Sequence, residues 1–112
     1  RRHTDEGGVA FDHNFCLSAE RQGKRTVAEV RSPSSGVSLE VLTTEPGVQL
    51  YTGAKVGPAV PGLDGRRYGA FAGFCLETQV WPDAINHANF PKAVLRPGET
   101  LRQETDYIFR KA

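Results

Sequence analysis

An all-β fold is predicted by three features of this sequence. Apolar residues recur at every second position, Gly, Pro, Ser and Thr cluster between the alternating stretches, and no segment carries a sustained helical stripe. In "VSLEVLTT", Val37, Leu39 and Val41 face one way while Ser38 and Glu40 face the other. Upstream, "TVAEVR" is the natural partner, and Pro33, Ser34, Ser35 and Gly36 supply the turn of a hairpin between the two. "GVQLYTG" follows Pro46-Gly47 and is again extended. Residues 54 to 72 change to Gly, Pro and Ala with few β-branched side chains, which predicts a long surface loop of the kind that often carries function. "GFCLETQ" returns to strand and "PDAINHANFP" breaks it, with only residues 87 to 90 offering a helical turn. "LRQETDYIFR" closes the chain, with Leu101, Gln103, Thr105, Tyr107 and Phe109 on one face and Arg102, Glu104, Asp106, Ile108 and Arg110 on the other. That alternation describes a half-solvated antiparallel strand. Six or seven strands are available, and the architecture they predict is an antiparallel β-sandwich or part of one.

At 112 residues the chain has the size of one domain, and 38% hydrophobic with 24% charged residues is ordinary globular composition. The 14 basic and 13 acidic side chains leave a formal charge of +1, which creates no field to attract nucleic acid or an anionic membrane surface. Apolar runs are only a few residues long, far short of the roughly 20 needed to span a bilayer, and no signal segment opens the chain. These features predict a soluble protein with neither nucleic acid nor membrane as partner. Cys16 and Cys75 both lie in "FCL", a setting that suits buried, reduced thiols in strands and hence a cytoplasmic home. Two isolated cysteines and three scattered histidines form none of the close ligand pairs of a structural metal site, so no metal is expected. The loop "TGAKVGPAVPGLDG" lacks a phosphate-cradling pattern, and no cofactor is expected. Methionine is absent and the chain opens on "RRHTDEGG" without an initiator, which predicts a fragment of a longer protein.

Polar groups with chemical potential occur at strands or strand ends in three places: Asp12 and His13 in "FDHNF", Glu77 and Gln79 in "LETQVWPD", and Glu99 in "RPGE". By spacing alone Asp12 reads as an Asx turn or strand-start cap, His13 as a structural histidine, Gln79 as a partner for neighbouring backbone and Glu99 as a turn carboxylate. Trp81, before Pro82, reads as a core or rim aromatic, with stacking on a sugar as the alternative.

Four blocks change that balance. "FDHNFCL", "LEVLTTEPGVQLYTG", "GFCLETQVWPDAINHANFP" and "LRPGE", in this order and spacing, resemble the C-terminal part of the aldose 1-epimerase (galactose mutarotase) family. Only the loop from Ala54 to Ala72 and the extreme N-terminus lack distinctive content. The resemblance implies a large antiparallel β-sandwich whose concave face holds an open sugar site, with residues 1–112 as the C-terminal part of that single domain. It implies that Glu99 is the general base on the C1 hydroxyl of an aldohexose such as galactose or glucose. It further implies that Asp12 accepts from sugar hydroxyls and that Gln79 lies near the anomeric end. The family's acid histidines lie upstream of its "FDHNF"-like block, and His3, His13 and His87 are not at those positions.

Mutarotation removes the C1 hydroxyl proton while protonating the ring oxygen O5. The aldehyde so formed rotates about C1–C2 and is attacked by O5 from its other face. Base and acid must flank one bond. A carboxylate serves if burial raises its pKa toward the working pH, whereas the acid needs a group such as imidazolium. Two other readings stay open on the residues: a non-catalytic sandwich binding hexoses through Asp12, Gln79 and Trp81, and a glycoside hydrolase pairing Asp12 with Glu99 across about 5 to 9.5 Å.

Overall fold

Alternating β-branched residues pair most readily with a neighbouring run of the same period, and the whole chain is organised by such pairings. The computed structural model describes residues 2–3 and 9–112, with the backbone alone given for 2–3. Its strands are β1 (Arg2–His3), β2 (Val9–Ala10), β3 (Asp12–Cys16), β4 (Arg25–Ser32), β5 (Val37–Thr43), β6 (Gly47–Tyr51), β7 (Cys75–Gln79) and β8 (Thr105–Lys111). Beyond these, only two single 3₁₀ turns occur among the described residues. The fold is all-β, as the periodicity predicts. β1 and β2 pair antiparallel, β3, β6 and β7 form one sheet in the order β3-β6-β7, and β4, β5 and β8 form another in the order β4-β5-β8.

The chain divides into two compact units, Arg1–Phe15 with Gln49–Glu77, and Cys16–Val48 with Thr78–Ala112. In the first, Thr52 ties the chain to the segment before β3. Its hydroxyl donates to the Val9 carbonyl at 2.8 Å and accepts the Phe11 N–H at 2.9 Å, while its own N–H donates to the Phe11 carbonyl at 3.0 Å. Gly53 then turns at a positive φ of 76°, and its carbonyl accepts the N–H groups of Val56 and Phe71. Residues 54 to 72 form the expected loop. Arg67 pins it by donating to the carbonyls of Pro58 and Ala59, and the first 3₁₀ turn spans Leu63–Gly65.

In the second unit, β4 and β5 make the expected hairpin, with Val30 opposite Leu39 and Ser32 opposite Val37, and a bulge between Thr26 and Ala28. Gly36 takes φ 69° at its turn and donates to the Ser32 carbonyl at 2.9 Å. β8 pairs antiparallel with β5, Phe109 opposite Leu39 and Tyr107 opposite Val41. Leu39 and Val41 are buried on the face the alternation assigns to them, together with Thr43 on the same strand and Val48 on β6. The last strand starts at Thr105, four residues later than the alternation from Leu101 suggests. The reason is a threonine cluster: the Thr105 hydroxyl meets those of Thr43 at 2.9 Å and Thr78 at 2.7 Å, and Thr44 and Glu104 exchange backbone and hydroxyl hydrogen bonds. That cluster fixes the first rung of the ladder. Upstream of it, Leu101 is exposed.

Two further expectations are corrected. Cys16 and Cys75 lie in strands as predicted, but both are exposed rather than buried, because β3 carries no buried residue and Cys75 opens β7 on its exposed side. The helical turn falls at Ala84–Asn86 instead of residues 87 to 90. Asp83 sets it by adopting φ 62° and accepting from the Asn86 amide and the His87 ring, and these two partners, Asn86 first, hold its carboxyl below the ordinary aspartate range.

Candidate active site

The "RPGE" stretch is a tight turn. Pro97 presets φ at its second position and Gly98 supplies the positive φ of 85° required at the third, so the Glu99 N–H donates back to the Arg96 carbonyl at 3.0 Å. The Glu99 side chain closes the same turn from the other side, its Oε2 accepting the Arg96 N–H at 2.8 Å. Its Oε1 accepts from Lys92 Nζ at 2.8 Å. Both oxygens are thus placed before any ligand arrives. Glu99 lines a cleft of about 400 Å³ with Arg21, Lys92, Ala93, Val94, Leu95, Thr100 and Leu101.

The expectation that burial raises this carboxyl is corrected. The Glu99 side chain is 39% exposed, and Lys92, then the Arg96 N–H, hold its pKa below the ordinary glutamate value. A turn at the rim of a cleft leaves too little desolvation to oppose an ammonium at contact. Near neutral pH the group is an ionised acceptor.

Behind the cleft stands a second acid that sequence reading passed over. Glu45 is 1% exposed and accepts Arg21 Nε at 2.7 Å, while Arg21 donates from its terminal nitrogen to the Lys92 carbonyl at 3.3 Å. Arg25 donates to the carbonyls of Thr43 and Glu45 and to the Ser18 hydroxyl. The next carbonyl, that of Pro46, accepts from the N–H groups of Leu17 and Ser18 and from the Trp81 indole at 2.8 Å. Trp81 also sets its ring edgewise on Phe90, centroids 5.1 Å apart. Its polar handle and its ring contact are therefore engaged in structure, in line with the core-or-rim aromatic reading.

Gln79 ends β7 half-buried, next to Thr78, whose carbonyl accepts from the Gln103 amide at 3.2 Å. It does not line the Glu99 cleft. Asp12, in the first unit, opens β3 with an exposed side chain whose Oδ1 accepts the Gln49 amide at 2.9 Å. It lines a cleft of about 320 Å³ with Phe11, His13, Tyr51 and Lys55 among others. His13 accepts the Asp12 N–H on Nδ1 and meets Phe11 edgewise, and His87 pairs with Asp83 and stacks on Phe90. Both have structural partners, the role the sequence suggests for His13. The His3 side chain lies outside the described residues.

Gln49 and Lys92 were not foreseen. Gln49 shares a strand face with Gly47 and Tyr51, and nothing in "GVQLY" marks its amide until Asp12 is seen beside it. Lys92 sits in irregular chain where no periodicity ranks one charge above another.

Residues 1–108 match the aldose 1-epimerase family. The chain is 46% identical over 112 residues to a galactose mutarotase of Bos taurus, covering 99% of this chain and 32% of that protein. Against a galactose mutarotase of Homo sapiens it is 48% identical over 102 residues, covering 91% of this chain and 30% of that protein. Against an aldose 1-epimerase of Escherichia coli (strain K12) it is 37% identical over 101 residues, covering 88% and 29%. The chain spans about a third of the length of these relatives. With the family matched across the all-β fold and both clefts, this chain belongs to the aldose 1-epimerase family.

Proposed function

We propose that these residues are the C-terminal part of a single-domain aldose 1-epimerase that interconverts the α and β anomers of aldohexoses such as galactose and glucose. Glu99 is the general base. The observation that carries this reading is a carboxylate set at a cleft between the Lys92 ammonium and the N–H of its own turn, in a chain of this family. An ionised carboxylate takes the C1 hydroxyl proton; the proton needed at O5 comes from a histidine outside these residues. Asp12, aimed by Gln49, accepts from sugar hydroxyls, and the Gln79 amide both donates and accepts near the anomeric carbon. The reaction is a proton transfer at a neutral sugar and calls for no cofactor. The exposed Cys75 thiol suits a reducing, cytoplasmic setting.

Polarimetry of freshly dissolved α-D-galactose with the complete protein tests the reading. Glu99→Gln keeps shape but takes no proton, so turnover falls by about 10² to 10⁴ while sugar affinity stays within about tenfold. Near-normal turnover in that variant removes Glu99 from the mechanism. A wild-type protein that binds hexose without speeding mutarotation is a binding module instead, and cleavage of an aryl glycoside makes it a hydrolase.

A further inference from the structure

A carboxylate at a solvent-facing cleft has no burial to fix its protonation state, so charged neighbours must do so. Among the described residues the cleft offers two cations, Arg21 and Lys92, and Glu99 is the sole carboxylate lining it. Arg21 is committed to buried Glu45 through Nε, and its other nitrogen reaches the Lys92 backbone. Among the described residues, Lys92 alone makes an ion pair with Glu99. Proceeding outward, a buried acid holds an arginine, the arginine holds a backbone carbonyl, and the lysine on that backbone meets the base. We infer that Lys92 is a positioning residue for Glu99, anchored through Arg21 and Glu45, which keeps the carboxylate ionised and so extends activity to lower pH.

This rests on the general-base reading of Glu99. A base works only when deprotonated, so activity falls as pH drops through its pKa. Lys92 favours the ionised form and shifts that fall to lower pH; the same interaction makes the carboxylate a weaker base. Aim is secured separately, because the Arg96 N–H holds Oε2 whatever stands at position 92. The larger electrostatic influence thus comes from Lys92, while the turn N–H keeps its own hold on Oε2, and a substitution at 92 removes the first and leaves the second.

The experiment compares wild type, Lys92→Met, Lys92→Arg and Glu99→Gln in the complete protein. Two readouts are taken: the pH dependence of kcat for mutarotation, and the carbon-13 titration of the Glu99 carboxyl by NMR. Lys92→Met moves the acid limb of kcat to higher pH and raises the plateau, so its profile crosses that of wild type; the carboxyl titration moves the same way. Lys92→Arg restores both. If the Glu99 titration is unmoved in Lys92→Met, the inference fails, even with Glu99→Gln inactive. If the titration moves but Glu99→Gln remains active, Lys92 still sets the ionisation of Glu99 but the carboxylate is not the base, and the proposed role in activity is overturned. A lowered kcat with an unshifted profile reduces Lys92 to a structural part.

Discussion

Lys92, Arg21 and Glu45 illustrate how side chains far apart in sequence set the behaviour of one carboxylate. Glu45 is almost wholly enclosed, and removing one member of such a pair leaves the other charge without its partner. Glu45→Ala should destabilise the complete protein by about 2 to 4 kcal/mol, somewhat below the roughly 3 to 5 of a fully buried pair, because Arg21 keeps contact with water. Urea denaturation checks this, and an unchanged midpoint would show that Arg21 finds equivalent partners elsewhere. At Asp12 the expected effect is on binding: Asp12→Ala weakens hexose binding by about 1.5 to 3 kcal/mol if its carboxylate accepts a sugar hydroxyl. An unaltered KM contradicts that role. Asp12, Gln79 and Glu99 were picked out by motif, since each sits in a block with a recognisable order. Lys92, Arg21, Glu45 and Gln49 were not, because a partner brought in by the fold leaves no local signature.

The elements were the most legible level. β4, β5 and their turn follow from alternation and from Pro-Ser-Ser-Gly, since a strand with one buried face must place like residues two apart. Where the reading slipped, a side-chain network had overruled the pattern. Three threonine hydroxyls begin β8 at Thr105, and Asp83 draws the 3₁₀ turn upstream. Gly53, at the start of the long loop, combines positive φ with close packing: a Cβ there would stand 2.3 Å from the Gly73 carbonyl oxygen. Gly53→Ala should therefore cost about 1 to 3 kcal/mol for the backbone conformation alone, with a further cost as Gly73 moves aside. Limited proteolysis of the complete protein is expected to cut within residues 54 to 72 faster in this variant. Equal cutting rates would mean the loop is anchored by Arg67 instead.

At the scale of the whole chain, apolar burial is sparse. Among the described residues only Leu39, Val41 and Val48 are buried hydrophobics, whereas Phe109 is 67% exposed, Leu63 79% and Val60 76%. So much uncovered apolar surface is uncommon on a self-sufficient monomer. The 112-residue polypeptide made alone should bind the dye ANS and self-associate, while the complete protein does neither; light scattering distinguishes them. A monomeric, dye-silent 112-residue chain would show that these faces need no cover. This chain holds a single tryptophan, and that residue hangs its indole on the Pro46 carbonyl, where β5 hands over to β6. Its fluorescence is accordingly a built-in optical gauge: any event that loosens the chain where β5 passes into β6 should register as a change in emission colour before the strands themselves come apart.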